Sequence, residues 1–238
     1  MNNPINISRL KKELLTLADP KQAKILSGFF KTGPGQYGEG DTFLGIKVPV
    51  QRKLARQYRN LTLKDVKKLL ASKIHEERLI SLMILIEKYE RGSVDERGKI
   101  IEFYLENTGN INNWDLVDLS ASKLLGRHIF EGDSDLLYRL ARSRSLWERR
   151  MAIIATYHFI KNDHVETTME IAELLLSDDH DLIHKAVGWM LREAGKRSLA
   201  AELQFLDKYA TAMPRTMLRY AIEKFPEKLR MKYLKKRL

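Results

Sequence analysis

No proline lies between Pro49 and Pro214, and this gap constrains the fold more than any other feature of the chain. A stretch without proline can be helical throughout, because no residue in it lacks an amide donor or pushes its predecessor out of the α region. Strands have no comparable support, since no Val/Ile/Thr/Tyr-rich segment alternates with polar residues. From His75 to Arg91, Leu79, Leu82, Met83 and Ile86 fall at i, i+3, i+4 and i+7, and Ile80 and Ile84 widen the stripe until the segment is apolar nearly all round. This segment is predicted to be a buried helix. Periodic segments predict further helices at 7–18, 20–31, 49–60, 63–72, 94–107, 114–128, 133–143, 145–161, 164–176, 182–197, 199–211, 214–225 and 227–236. Pro49 and Pro214 suit first turns, Asp133 and Ser145 suit caps, and Gly92 and Gly132 suit helix ends.

Short links make neighbouring helices antiparallel. Trp147 to Lys161, Leu182 to Arg197 and Met213 to Phe225 look like versions of one another, with Arg150, Lys185 and Arg219 marking a register of 35 and 34 residues. That period suits a two-helix repeat whose units bury their apolar faces only against each other. The expected architecture is an all-α curved solenoid, one domain over residues 1–238, with the second helix of each pair lining a concave face.

The chain has a formal net charge of +11. Residues 214–238 hold nine Lys or Arg against two Glu, whereas Asp163 to Asp181 is acidic. A polyanion is one reading of that distribution, because cations set against phosphates release condensed counterions; a soluble basic surface is the other. With no cysteine, disulfides, thiolate metal sites and cysteine nucleophiles are excluded. The most apolar stretch, Leu79 to Ile86, interrupted only by Ser81, is too short to span a bilayer, and Met1 to Lys12 lacks the features of a secretion signal. A soluble, cytoplasmic protein is expected.

Several segments could carry chemistry. The glycine-dense Gly33 to Asp41 stretch lacks the Lys-Ser/Thr of a phosphate loop and carries Glu39 and Asp41, so it is read as a flexible interhelical loop. His180 and His184 stand four apart beside Asp178, Asp179 and Asp181; capping of the next helix by the aspartates is preferred to a metal site. Trp114 and Asp118 would share one helix face. There a carboxylate backed by an indole could steady an oxocarbenium-like sugar, or the acids could simply complement the helix dipole with Trp114 in the core. Lys185, Trp189 and Arg192 also share a face and, with Arg150, would make a cationic and aromatic ledge for DNA, unless Trp189 is core and the cations are solvated. Arg215 and Arg219 are further phosphate candidates or ordinary basic surface. Trp147, beside Leu146, is assigned to the core.

Taken in order, Phe43 to Pro49 with Arg52, Trp114 to Asp118, Trp147 to Arg150, Lys185 to Glu193 and Pro214 to Glu223 resemble the AlkD-like DNA alkylation-repair glycosylases over nearly the whole chain. The resemblance implies a right-handed α-α superhelix of HEAT-like repeats whose concave basic face holds duplex DNA. It also implies monofunctional removal of cationic N3- and N7-alkylated purines, without metal or cofactor, by a monomer. By position, Asp118 would be the catalytic carboxylate, Trp114 and Trp189 would flank the deoxyribose, and Arg150 would be the cation beside them. Arg52 and Arg192 would hold the backbone. Two DNA-facing positions depart from the better-known members: Lys47, with Val48, replaces short polar residues, and His158 stands where relatives can carry lysine. A non-catalytic protein for distorted or branched DNA, and a protein-binding scaffold, are the alternatives.

Overall fold

The computed structural model describes residues 6–130, 132 and 134–235. Among them there is no strand, as expected; outside the helices, Thr42 and Ile74 form an isolated parallel bridge. No helix of the described residues is long and apolar enough to cross a membrane. The chain forms two compact units, Met1–Ser120 and Ala121–Leu238.

The first unit contains α1 (Ile7–Thr16), α2 (Pro20–Phe29), α3 (Val48–Gln57), α4 (Leu63–Leu70), α5 (His75–Arg91), α6 (Val94–Glu106) and α7 (Trp114–Ser120). Helix α5 is the hub, packed against α3, α4, α6 and α7. Its all-round apolar surface explains that position, with Ile80, Leu82, Ile84 and Leu85 fully buried. Gly92 closes α5 as expected, Ser93 begins α6 with a reciprocal capping box to Glu96, and Pro49 lies in the first turn of α3. Before α3 the chain crosses the start of α2 at Gly45, where φ is +82° and a Cβ would come within 2.2 Å of the Asp19 carbonyl. Only glycine fits that crossing. The buried Glu76 carboxylate then accepts the amides of Leu44, Gly45 and Ile46, pinning this connection to α5.

The second unit begins with a π-type turn at Ser122–Gly126, followed by α8 (Arg127–Phe130), α9 (Asp135–Ala141), α10 (Leu146–Lys161), α11 (Glu166–Leu174), α12 (Asp181–Gly195), α13 (Leu199–Tyr209), α14 (Arg215–Ala221) and α15 (Glu227–Lys235). The helix predicted at 114–128 is thus α7, the wider turn and α8. Elsewhere the ends differ from prediction by a few residues. Helices α9 and α10, α11 and α12 pack as pairs, α13 packs on α12, and α10, α12 and α14 pack successively on one another. The register of Arg150, Lys185 and Arg219 therefore marks three equivalent helices. Gly188 permits a close approach of α12 to α14, since a Cβ there would lie 2.4 Å from the Met217 carbonyl oxygen.

Two local expectations change, at Pro214 and Trp147. Ser145 caps α10 as predicted, but Pro214 precedes α14 as its cap instead of entering the first turn. Asp133, expected to cap, and Lys236 at the predicted end of α15 lie outside the described residues. Trp147 is half-buried, not core, because it sits in the first turn of α10 where the helix is only partly covered.

Candidate functional site

In the first unit, α7 places Trp114 and Asp118 one turn apart, both half-buried. Trp114 is neither core nor free wall. Its indole stacks on Phe30 at 5.1 Å, meets the edge of Phe29 at 5.8 Å and donates its Nε1–H to Tyr37 Oη at 3.1 Å. The glycine-dense segment thus helps to hold the indole.

That segment is an interhelical loop between α2 and α3, built of successive turns. Gly33 N–H donates to Gln36 Oε1 at 3.0 Å, and Gly35 N–H donates to Glu39 Oε2 at 2.8 Å. At its end, Asp41 is buried and ion-paired with Arg78. Glu39 occupies an amide that a phosphate loop would leave for its ligand.

Asp41 opens a buried network that the sequence reading missed. His75 Nε2 lies 2.7 Å from Asp115 Oδ2, His75 Nδ1 lies 3.7 Å from Asp41 Oδ2, and Arg78 Nη1 donates to Asn112 Oδ1 at 2.9 Å. Burial pushes the Asp41 carboxyl upward, but His75 and Arg78 outweigh it and hold the group below the ordinary carboxylate value. Burial likewise pulls the His75 imidazole down, and the Asp115 and Asp41 carboxylates outweigh that to hold it above its ordinary value. One sequence signal could have exposed the network. His75 and Arg78 sit three apart on the first turn of a helix predicted to be buried, where buried cations require counter-charges.

In the second unit, Arg150 is 5% exposed and donates to the Leu182 carbonyl at the head of α12. It is not part of an exposed ledge. Trp189 is half-buried, with Tyr157 at 6.1 Å between ring centroids, and Lys161 Nζ lies 4.3 Å from the Tyr157 ring centroid. Tyr157 and Lys161 were not predicted to belong beside Trp189. Lys185 ion-pairs with Asp181 at 2.7 Å, while Arg192 pairs with Glu223 and, at 3.3 Å, with Glu193. His158 meets the edge of Phe130 at 5.4 Å.

The remaining predicted cations are exposed: Lys47 and Arg52 near the start of α3, and Arg215 and Arg219 on α14. Arg215 also reaches the Leu234 carbonyl at 3.3 Å. His180, not an aspartate, caps α12, accepting the Leu182 amide on its side chain. His184 is hydrogen-bonded to the Asp178 carbonyl, and no acid and histidine cluster suited to a metal occurs among the described residues.

A sequence profile of the family described as DNA alkylation repair enzyme matches residues 10–225. The chain belongs to the DNA alkylation repair enzyme family. A solved structure described as a predicted DNA alkylation repair enzyme from Enterococcus faecalis shares its fold, with a TM-score of 0.67 and 15% identity, covering 88% of this chain and 97% of that one. No curated protein matches in sequence. Membership of the DNA alkylation repair family implies a role in alkylation repair and contact with DNA. Against that background, Lys47, Arg52 and Arg219 are the predicted cations most accessible to phosphate, whereas Lys185 and Arg192 already face carboxylates.

Proposed function

We propose that this protein is a monofunctional, metal-independent DNA glycosylase that hydrolyses the N-glycosidic bond of cationic alkylated purines, 3-methyladenine and 7-methylguanine, in duplex DNA. Alkylation at N3 or N7 gives the base a positive charge, so it leaves without a general acid. The enzyme's task is then to steady the sugar as it gains oxocarbenium character and to admit a water to its anomeric carbon. Asp118 is the carboxylate assigned to that charge, and Trp114 the wall beside the sugar.

The observation that carries this reading is the placement of Asp118 on a partly covered helix face, one turn from an indole whose orientation is held by Phe30 and Tyr37. Preorganised charge of this kind stabilises a cationic transition state without reorganisation during the reaction. In the second unit, Trp189 is assigned to the nucleic acid. Arg150 acts through its bond to the Leu182 carbonyl, holding the helix that carries Trp189. Lys47, Arg52, His158, Lys185, Arg192, Arg215 and Arg219 are assigned to the DNA backbone, with Lys185 and Arg192 exchanging carboxylate partners for phosphate. The helix pairs of that unit are assigned as HEAT-like repeats.

The test is base release from methylated duplex DNA by wild type and Asp118→Asn side by side. The expected result is free 7-methylguanine or 3-methyladenine from the wild type, a rate reduced about 100-fold or more in the variant, and nearly unchanged DNA affinity. Absence of free base with well-folded wild type removes the glycosylase assignment.

A further inference from the structure

Within the first unit, a cavity of about 270 Å³ opens between the turn that follows α3, the C-terminal end of α5 and the first half of α6. It falls just below the usual range of small-molecule sites, about 300–1,000 Å³, and so suits a compact ligand. Leu63 and Ile100 contribute apolar lining, while Arg59, Lys88, Arg91 and Lys99 bring four cations to it against the two carboxylates of Glu87 and Glu96. The cavity is remote from α7. Lys88 lies 13 residues along α5 from His75, the residue that meets Asp115, which is about 20 Å at about 1.5 Å per helical residue.

Both carboxylates are already committed. Glu87 pairs with Arg56 at 3.5 Å and with Arg91 at 3.7 Å, and Glu96 accepts the Ser93 amide at 2.7 Å in the capping box of α6. The cations are less well served. Arg59 spends Nη1 on the Arg56 carbonyl at 2.9 Å, and neither Lys88 nor Lys99 has a carboxylate within ion-pairing distance among the described residues. Hydrogen bonds from Ser93, helped by Lys88 and Lys99, hold the Glu96 carboxylate below its ordinary value, so both ammonium groups stand near an acid that borders the cavity. Lys88 is half-buried. Burial pulls its ammonium below the ordinary value, with only partial relief from Glu96. A cation so placed gains more from an added anion than a fully solvated one does.

We propose that this cavity binds a small phosphate monoester, with Arg59, Lys88 and Lys99 donating to the phosphoryl oxygens and Leu63 and Ile100 lying against the group that the phosphate carries. Phosphate fits better than carboxylate because the donors come from three separate parts of the chain. A planar carboxylate is satisfied by one guanidinium fork, whereas a tetrahedral phosphoryl group offers three oxygens to donors arriving from different sides. Four cations against two carboxylates leave a formal excess of two positive charges, which matches a monoester at about −1.5 to −2 near neutral pH. A phosphodiester within a strand carries a single charge. The site is therefore separate from the DNA contacts assigned above and does not rest on the glycosylase reading.

The test follows backbone amide shifts of the isotope-labelled, full-length protein at low salt during titration with glycerol 3-phosphate, glycerol and acetate. Gly92, which lines the cavity and donates its amide to the Lys88 carbonyl at 2.8 Å, should shift saturably with glycerol 3-phosphate and little with the other two. Lys88→Met and Lys99→Gln should each weaken binding about tenfold, the loss expected of one hydrogen bond to a charged group. Lys99 is exposed, so its variant keeps the proposal falsifiable even where Lys88→Met fails to fold. Lys228→Gln removes the same charge from an exposed position on α15 and should leave binding unchanged. Saturable binding of glycerol 3-phosphate that depends on Lys99 and not on Lys228 supports the site. Shifts that never saturate, acetate as effective as the phosphate, equal weakening by Lys228→Gln, or displacement of glycerol 3-phosphate by an unphosphorylated DNA duplex overturns it. No base is released in these titrations, so failure here leaves the glycosylase assignment standing, and failure of that assignment leaves this site.

Discussion

Replacing Asp41 by asparagine removes one carboxylate from a place where water cannot substitute for it. The Asp41, His75 and Arg78 side chains are 4%, 3% and 6% exposed. Breaking a buried ion pair by removing one partner costs about 3–5 kcal/mol. The lower end applies here, because Arg78 keeps Asn112 at 2.9 Å and the new amide can still accept a hydrogen bond. At roughly 2–4 °C per kcal/mol for a chain of this size, Asp41→Asn should lower Tm by about 6–12 °C.

The pH dependence gives the prediction a second edge. Asp41 is held below its ordinary value of 3.8, so its contribution is complete above that value and is lost as pH falls through the lower value of the folded state. His75 is held above its ordinary value of 6.5, so its contribution is complete below that value and fades as pH rises through the higher folded value. The gap between wild type and variant should therefore be widest between those two limits and narrow on either side. Thermal unfolding followed by circular dichroism at about pH 3, 5.5 and 9 measures it. A gap below about 2 °C at pH 5.5, or one that widens toward acid, would refute the clamp assigned to Asp41.

Two further outcomes follow from charges placed elsewhere. Burial pushes the Glu202 carboxyl up to about 8 against the opposing pull of Arg192, so the folded state holds a proton there and its stabilisation is lost as pH rises through about 8. Glu202→Gln should gain stability relative to wild type between pH 5 and 9, on the order of a few kcal/mol, read from urea midpoints; a constant difference would contradict the buried acid. Arg52→Gln and Arg219→Gln, at exposed positions, should each reduce the log–log salt slope of DNA binding by about 0.9 with Tm unchanged. Arg150→Ala should instead lower stability by about 1–3 kcal/mol, since the guanidinium is itself buried and donates to the Leu182 carbonyl.

The helical class, the buried hub at His75 to Arg91 and the register linking Arg150, Lys185 and Arg219 could be read from the sequence because each depends on periodicity. A residue's neighbours at i+3 and i+4 are dictated by the helix itself, and repeated spacing transmits that pattern to the next pair. The same reasoning placed Trp114 and Asp118 on one face of α7. It could not say what else would meet that helix.

Tertiary packing decided the rest. Asp41 reaches Arg78 across 37 positions and Asp115 reaches His75 across 40, separations for which no local rule exists. It also brought the glycine-dense segment to Trp114 through Tyr37, and sorted cations of the same type into a buried Arg150, a carboxylate-paired Arg192 and an exposed Arg219. The physical reason is that backbone conformation answers mainly to adjacent residues, whereas burial and charge pairing answer to whatever the folded chain brings within a few ångströms.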